Sequence, residues 1–353
     1  MDAPPTAATP RPFAALSRLL IALLALITLT GSIACRDSAA GDSPAPTRRP
    51  GPLRIVVSIP PLLWPARELA PKDATITLLV PPGASEHDFE LSPSQVAAIH
   101  DADLVVMVGL GLEPRVQQII DARAKQAPHR RVVTFDGLVT AIAHDEHDHD
   151  HAHDHDDHHN HDHATDPHVW LDPVAMGALI DRLSEALRTP PIRLALTDPA
   201  HDPDRIAARA TELASECRAI DTEYRAAFAD GKIANRVIVT HHSAFAYIAR
   251  RYNLEVAAVI RPFAGVEPTP AEVSGALDAV RSHNLGAIFI EPQFPPGSAA
   301  RIAEIAKVRT ISLDPLGDGD WPKLMRTNLA ALVDGLAAPA PSSAPSPSGR
   351  GPG

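Results

Sequence analysis

Residues Asp204 to Ala229 read DRIAARATELASECRAIDTEYRAAFA, with apolar residues at Ile206, Ala210, Leu213, Cys217, Ile220, Tyr224 and Ala227. Steps of four and three put these side chains on one side of a helix. At 1.5 Å per residue the segment predicts a helix about 39 Å long, enough to run along two packed units. Asp202-Pro203 marks its start: a capping carboxylate, then a proline where the missing N–H costs nothing. Cys217 falls on the buried stripe, where a free thiol behaves as a small core residue.

Outward from this helix the chain repeats itself in kind. Short β-branched runs occur at Leu53–Ser58, Thr75–Val80, Leu104–Val108 and Arg131–Phe135 before it, and at Arg236–Thr240, Leu254–Ile260, Ala287–Ile290 and Val308–Leu313 after it. They alternate with helical patterns, and near-continuous apolar strands separated by helices belong to parallel sheets covered on both faces. The fold class is α/β: two lobes, each a four-stranded, mostly parallel sheet flanked by helices, joined by one long rigid helix. Ser92-Pro93-Ser94-Gln95 and Thr269-Pro270-Ala271-Glu272 each combine a capping hydroxyl, proline, and Gln or Glu at the third helical position. One lies in each half before a helix and then a strand, so the halves look related in design.

The boundaries that follow are 53–202 for the N-terminal lobe, 203–230 for the linking helix and 231–338 for the C-terminal lobe. Residues 1–34 have a signal-peptide layout: Arg11 and Arg18, an apolar run from Leu19 to Leu29, then small residues before Cys35. That run is about half the roughly 20 residues a membrane-spanning helix needs. Ser32-Ile33-Ala34 fits both ordinary cleavage after Ala34 and lipidation of Cys35, so an exported protein is expected, periplasmic or lipid-anchored outside the membrane. Residues 35–52 read as a flexible tether and 339–353 as a disordered tail. Cys217 is the only other cysteine, so no internal structural disulfide is expected.

The formal charge is −11, of which residues 144–163 alone carry −8, leaving the rest of the chain at −3. That balance excludes the basic face that nucleic-acid binding needs. The same tract holds ten His and no Lys or Arg, a composition that cannot build a core but offers many overlapping weak sites for zinc, copper or nickel. It marks metal traffic. A rigid site needs histidines fixed by surrounding structure, and His87, His168, His241 and His242 sit near strand ends or helix starts. In open parallel sheets ligands bind at the carboxyl ends of strands, so positions this far apart in sequence can converge.

These residues carry a family resemblance. Pro81-Pro82-Gly83-Ala84-Ser85-Glu86-His87-Asp88-Phe89-Glu90-Leu91-Ser92-Pro93, Ala102-Asp103-Leu104-Val105-Val106 through Gly111-Leu112-Glu113, Asp166-Pro167-His168-Val169-Trp170-Leu171-Asp172-Pro173 and His242-Ser243-Ala244-Phe245-Ala246-Tyr247 resemble the zinc- and manganese-type solute-binding proteins of bacterial ABC importers. Gly265-Val266-Glu267-Pro268-Thr269-Pro270, Glu291-Pro292-Gln293-Phe294 and Leu313-Asp314-Pro315-Leu316 continue the match to about Leu336, and the zinc-uptake members are the most similar. The resemblance implies a monomer that takes zinc as transported ligand between its lobes and delivers it to a membrane permease. It implies His87, His168 and His242 as ligands, with Asp314 as the fourth and Glu291 as an alternative. His242 is preferred to His241 because the family ligand stands three residues before the aromatic, here Phe245. Where the family often has Asp after that histidine, this chain has Ser243.

Three imidazoles and a carboxylate or water suit zinc, whereas manganese-type relatives carry more carboxylate. A manganese- or iron-type member of the same family is the alternative reading; a zinc buffer or a zinc-dependent hydrolase ranks lower. No His is followed directly by Glu, so the His-Glu-x-x-His protease motif is absent. Gly109-x-Gly111 after a strand suggests a dinucleotide turn, but Pro114 stands where its third glycine should be.

Overall fold

The computed structural model describes residues 51–127, 130–143, 165–190, 192, 202–229, 231–261 and 266–337. The expected signal peptide, nearly all of the tether with Cys35, the His-rich tract and the tail lie outside these residues.

Strands β1 (Arg54–Val57), β2 (Thr75–Leu78), β3 (Leu104–Val106) and β4 (Arg131–Val133) form one sheet in the order β2-β1-β3-β4. Strands β5 (Val237–His242), β6 (Glu255–Arg261), β7 (Ala287–Ile290) and β8 (Arg309–Ser312) form the second in the order β6-β5-β7-β8. Every pairing between these strands is parallel. The second sheet thus repeats the first with each strand advanced by four. Helices α1 (Leu63–Leu69), α2 (Pro93–Asp101), α3 (Pro114–Ala122) and α4 (Pro173–Arg188) belong to the first lobe. The long α5 (Pro203–Ala227) links it to α6 (Ala246–Tyr252), α7 (Pro270–Ser282), α8 (Gly297–Ala306) and α9 (Trp321–Leu336). Both predicted capping boxes are formed, Ser92 with Gln95 on α2 and Thr269 with Glu272 on α7. Each leads from the second strand of its sheet to the third.

The strands pack on both faces, as their continuous apolar character requires. Ile55 and Val57 of β1 and Leu104 and Val106 of β3 face a central core, while Val56 and Val105 face a separate layer with Ile99 of α2. In the second lobe Ile238 and Val239 divide in the same way between the central core and a layer under α7 and α8. The central core is shared: it takes the α5 stripe, Ile206, Ala210, Leu213, Cys217, Ile220 and Tyr224, together with residues of both lobes. Trp64 and Trp321 stack across it at 5.6 Å. Two buried indoles cross-link the lobes, Trp170 Nε1 donating to the Pro315 carbonyl and Trp321 Nε1 to the Trp170 carbonyl, at 2.7 and 2.8 Å. Charged contacts on the outer side of α5 brace it to each lobe, Arg209 with Glu68 and Arg326 with Glu216 and Glu223. Cys217 is the free, buried cysteine among the described residues, and burial pushes its thiol up to about 12. No described helix is long and apolar enough to cross a membrane.

One strand differs from expectation in a way that matters for the site. β5 continues two residues beyond Thr240, through His241 and His242, because the ladder to β6 extends to His242 opposite Arg261. Two adjacent imidazoles look like a loop in a propensity reading, yet here they finish the strand.

Candidate metal centre

The connection after β2, the residue before a short 3-10 turn and the last residue of β5 bring His87, His168 and His242 together, with one potential ligand atom from each lying within 4.8 Å of the others. His87 comes from the β2–α2 connection, after Gly83, whose φ of +84° turns the chain as few other residues would. Its backbone N–H donates to Ser85 Oγ at 3.2 Å. His168 immediately precedes a single-turn 3-10 helix, Val169–Leu171, all three residues of which are fully buried. Asp172 then caps α4 by accepting from the N–H groups of Val174 and Ala175. His242 ends β5 and joins the cluster, while His241 before it stands edge-on to Phe294 at 5.5 Å between ring centres, a ring that His242 also meets at 5.6 Å.

The rings are mutually inclined by 59°, 72° and 76°, with centres 5.0–5.3 Å apart. His87 Nε2 and His168 Nε2 are 3.2 Å apart. Nitrogens held about 2.0–2.1 Å from one tetrahedral centre lie roughly 3.3–3.4 Å from each other, so this spacing suits a shared small cation. His168 and His242 are buried, whereas His87 sits at the rim with a side chain 26% exposed.

Carboxylates surround the imidazoles. Asp166 Oδ1 lies 2.7 Å from His168 Nδ1, an arrangement that leaves Nε2 to face the cluster. Glu86 Oε1 lies 3.3 Å from His168 Nε2 and 3.9 Å from His87 Nε2. Glu291 Oε2 lies 3.6 Å from His242 Nδ1. Burial alone would lower His168, but the hydrogen bonds and charges of Asp166 and Glu86 outweigh it and raise the imidazole to about 10. His87 goes the other way: burial pulls it to about 4 against the attraction of Glu86. Burial opposes ionisation of Glu86, yet His168 and His87 hold it at about 2. Glu291 is pushed well above the usual carboxylate range, first by burial and then by Glu86. Without metal His168 therefore keeps a proton, between the carboxylates of Asp166 and Glu86. A divalent cation would take that proton's place among the same groups.

Asp314 is not among the atoms of the histidine cluster. Its Oδ1 accepts from Gln293 Nε2 and from the backbone N–H groups of Leu316 and Gly317 at 2.7–3.0 Å, and its own N–H donates to Asn328 Oδ1. The sequence reading gave no role to Glu86, although it directly precedes His87, or to Asp166, two residues before His168. Short spacing of an acid from a candidate His was the available signal.

Residues 55–335 match the family model described as zinc-uptake complex component A, periplasmic (ZnuA). The high-affinity zinc uptake system protein ZnuA of Paracoccus denitrificans is 30% identical over 329 residues, covering 85% of this chain and 97% of that protein. The zinc-binding protein AdcA of Streptococcus pyogenes is 26% identical over 300 residues, 80% of this chain. The chain spans about 56% of the length of that relative. Among solved structures, the periplasmic zinc-binding protein TroA of Treponema pallidum superposes with a TM-score of 0.67 over 81% of this chain and 100% of its own, at 20% identity, which is a likeness of fold.

Proposed function

The chain belongs to the family of zinc-uptake complex component A, periplasmic, and on that premise we propose that it is the extracytoplasmic zinc-binding component of an ABC importer. It captures zinc between its lobes on His87, His168 and His242, performs no covalent chemistry on its cargo, and gives the ion up to a membrane permease. The observation that carries this reading is the convergence of three imidazoles from both lobes, within 4.8 Å, beside buried carboxylates. Three nitrogen donors favour zinc over manganese, whose sites draw more on oxygen. For the fourth position Glu86 is better placed than Asp314, since its Oε1 lies 3.3 Å from His168 Nε2 and 3.9 Å from His87 Nε2. The linking helix and two-lobe boundaries expected at 203–230, 53–202 and 231–338 make the cleft the natural place for capture and release.

Calorimetry on the triple variant His87→Ala, His168→Ala, His242→Ala tests the assignment. Loss of the tight zinc isotherm is expected. Unchanged high-affinity binding would sink it.

A further inference from the structure

Two of the three clustered imidazoles belong to different lobes, and one hydroxyl ties together the elements that carry them. Tyr247 lies on α6, five residues after His242, and is 1% exposed. Its O–H donates to the Asp166 carbonyl at 3.0 Å and accepts from the Ile142 N–H at 3.3 Å. Asp166 is two residues from His168 and holds its Nδ1. Ile142 and Asp166 are themselves joined, the Asp166 N–H donating to the Ile142 carbonyl at 2.9 Å beside the antiparallel bridge Ala143–Thr165. One turn further on, exposed Arg250 stacks its guanidinium on the Tyr247 ring at 5.2 Å and donates to the Thr140 carbonyl.

We propose that Tyr247 is a positioning residue, an interlobe latch that fixes the His168 segment of the first lobe against the His242 segment of the second and so slows release of the metal. The inference rests on the zinc reading of the cluster given above. Metal escape requires the His168 and His242 elements to separate, and separation breaks both Tyr247 hydrogen bonds. Removing the hydroxyl leaves the ring packed and every proposed ligand in place, but lowers the cost of opening. The effect belongs on the dissociation rate.

The full chain loaded with zinc, mixed with a chromophoric chelator in a stopped-flow instrument, reads that rate. Tyr247→Phe is expected to release zinc about three- to tenfold faster than the unmodified chain, the range that fits loss of buried hydrogen bonds. Arg250→Ala is expected to shift release in the same direction by less. Tyr224→Phe is the control for a purely structural hydroxyl, since the buried Tyr224 O–H donates to the Met325 carbonyl between α5 and α9. It should lower thermal stability and leave release unchanged. Cobalt(II) bound to Tyr247→Phe should keep the band positions of the unmodified chain, because no ligand is lost. Release from Tyr247→Phe at the unmodified rate, equal acceleration in Tyr224→Phe, or a changed cobalt spectrum would each overturn the latch. An unmodified chain that holds no zinc would overturn the metal reading and the latch with it.

Discussion

Asp166 Oδ1 accepts from both the backbone N–H and the Nδ1–H of His168, at 2.8 and 2.7 Å. One carboxylate oxygen thereby fixes the main chain, the ring orientation and the tautomer of that histidine. Outer partners of this kind are worth about 10–100-fold in metal affinity. Asp166→Asn is expected to lower zinc affinity by about that factor. Chelator competition provides the measurement, and affinity within twofold of the unmodified chain would remove Asp166 from the account.

Proton release follows from the same pair. With His168 raised to about 10 and His87 lowered to about 4, His168 carries at pH 7 a proton that zinc must displace, while His87 carries none. Raised pKa means protonation competes with metal everywhere below about 10, so zinc affinity should fall about tenfold for each pH unit lost between 8 and 6. Protonation of His87 joins the competition only as pH approaches 4. Titrations in buffers of different ionisation enthalpy should report release of the His168 proton on zinc binding at pH 7. A pH-independent affinity with no proton release would contradict the charge arrangement.

The fold was legible because its signals are local and repeated. Two capping boxes, eight short apolar strands and the four-and-three stripe from Ile206 to Tyr224 each announce one element, and their order requires parallel sheets. Residue type and strand-end position left four candidate histidines, and it was the family resemblance that singled out His87, His168 and His242, which the fold brings together. What escaped reading was long-range geometry. Nothing local distinguishes Glu86, turned inward to His168, from exposed Asp88 two residues later. Nor does anything local show that Asp314, which the resemblance implies as the fourth ligand, has its Oδ1 accepting from Gln293, Leu316 and Gly317.

Those two acids separate experimentally. Glu86→Gln removes the charge nearest the Nε2 atoms of His168 and His87, and zinc affinity should drop by about tenfold or more. Asp314→Asn should cost less affinity and more stability, because the carboxylate supports the turn to Gly317. Paired chelator titrations and thermal melts distinguish them. A larger affinity loss in Asp314→Asn would transfer the fourth position to Asp314.

The long helix contributes through burial as much as through length. Leu213 is 2% exposed in the core shared by both lobes. Leu213→Ala should cost about 2–5 kcal/mol, the range for cavity-forming truncations. Arg218→Ala, on the exposed side of the same helix, should stay within about 0.5 kcal/mol. Urea denaturation monitored by circular dichroism compares them, and equal midpoints would mean that the α5 stripe is not energetically part of the core.

The His-rich tract is the feature most easily mistaken for the site. Its flanks meet at the antiparallel bridge Ala143–Thr165, reinforced by the Asp166 N–H to Ile142 carbonyl bond, so the chain ends left by its removal are adjacent. Residues 144–163 can therefore be replaced by a two-glycine turn without pulling Asp166 away from His168. None of the three clustered histidines lies in the tract, so the shortened protein should keep one tight zinc equivalent. The weaker equivalents supplied by ten histidines and eight acids should vanish. Zinc titration of both forms, followed by metal analysis after dialysis, counts the two classes. Disappearance of the tight equivalent would move the principal ligands out of the cleft and into the tract.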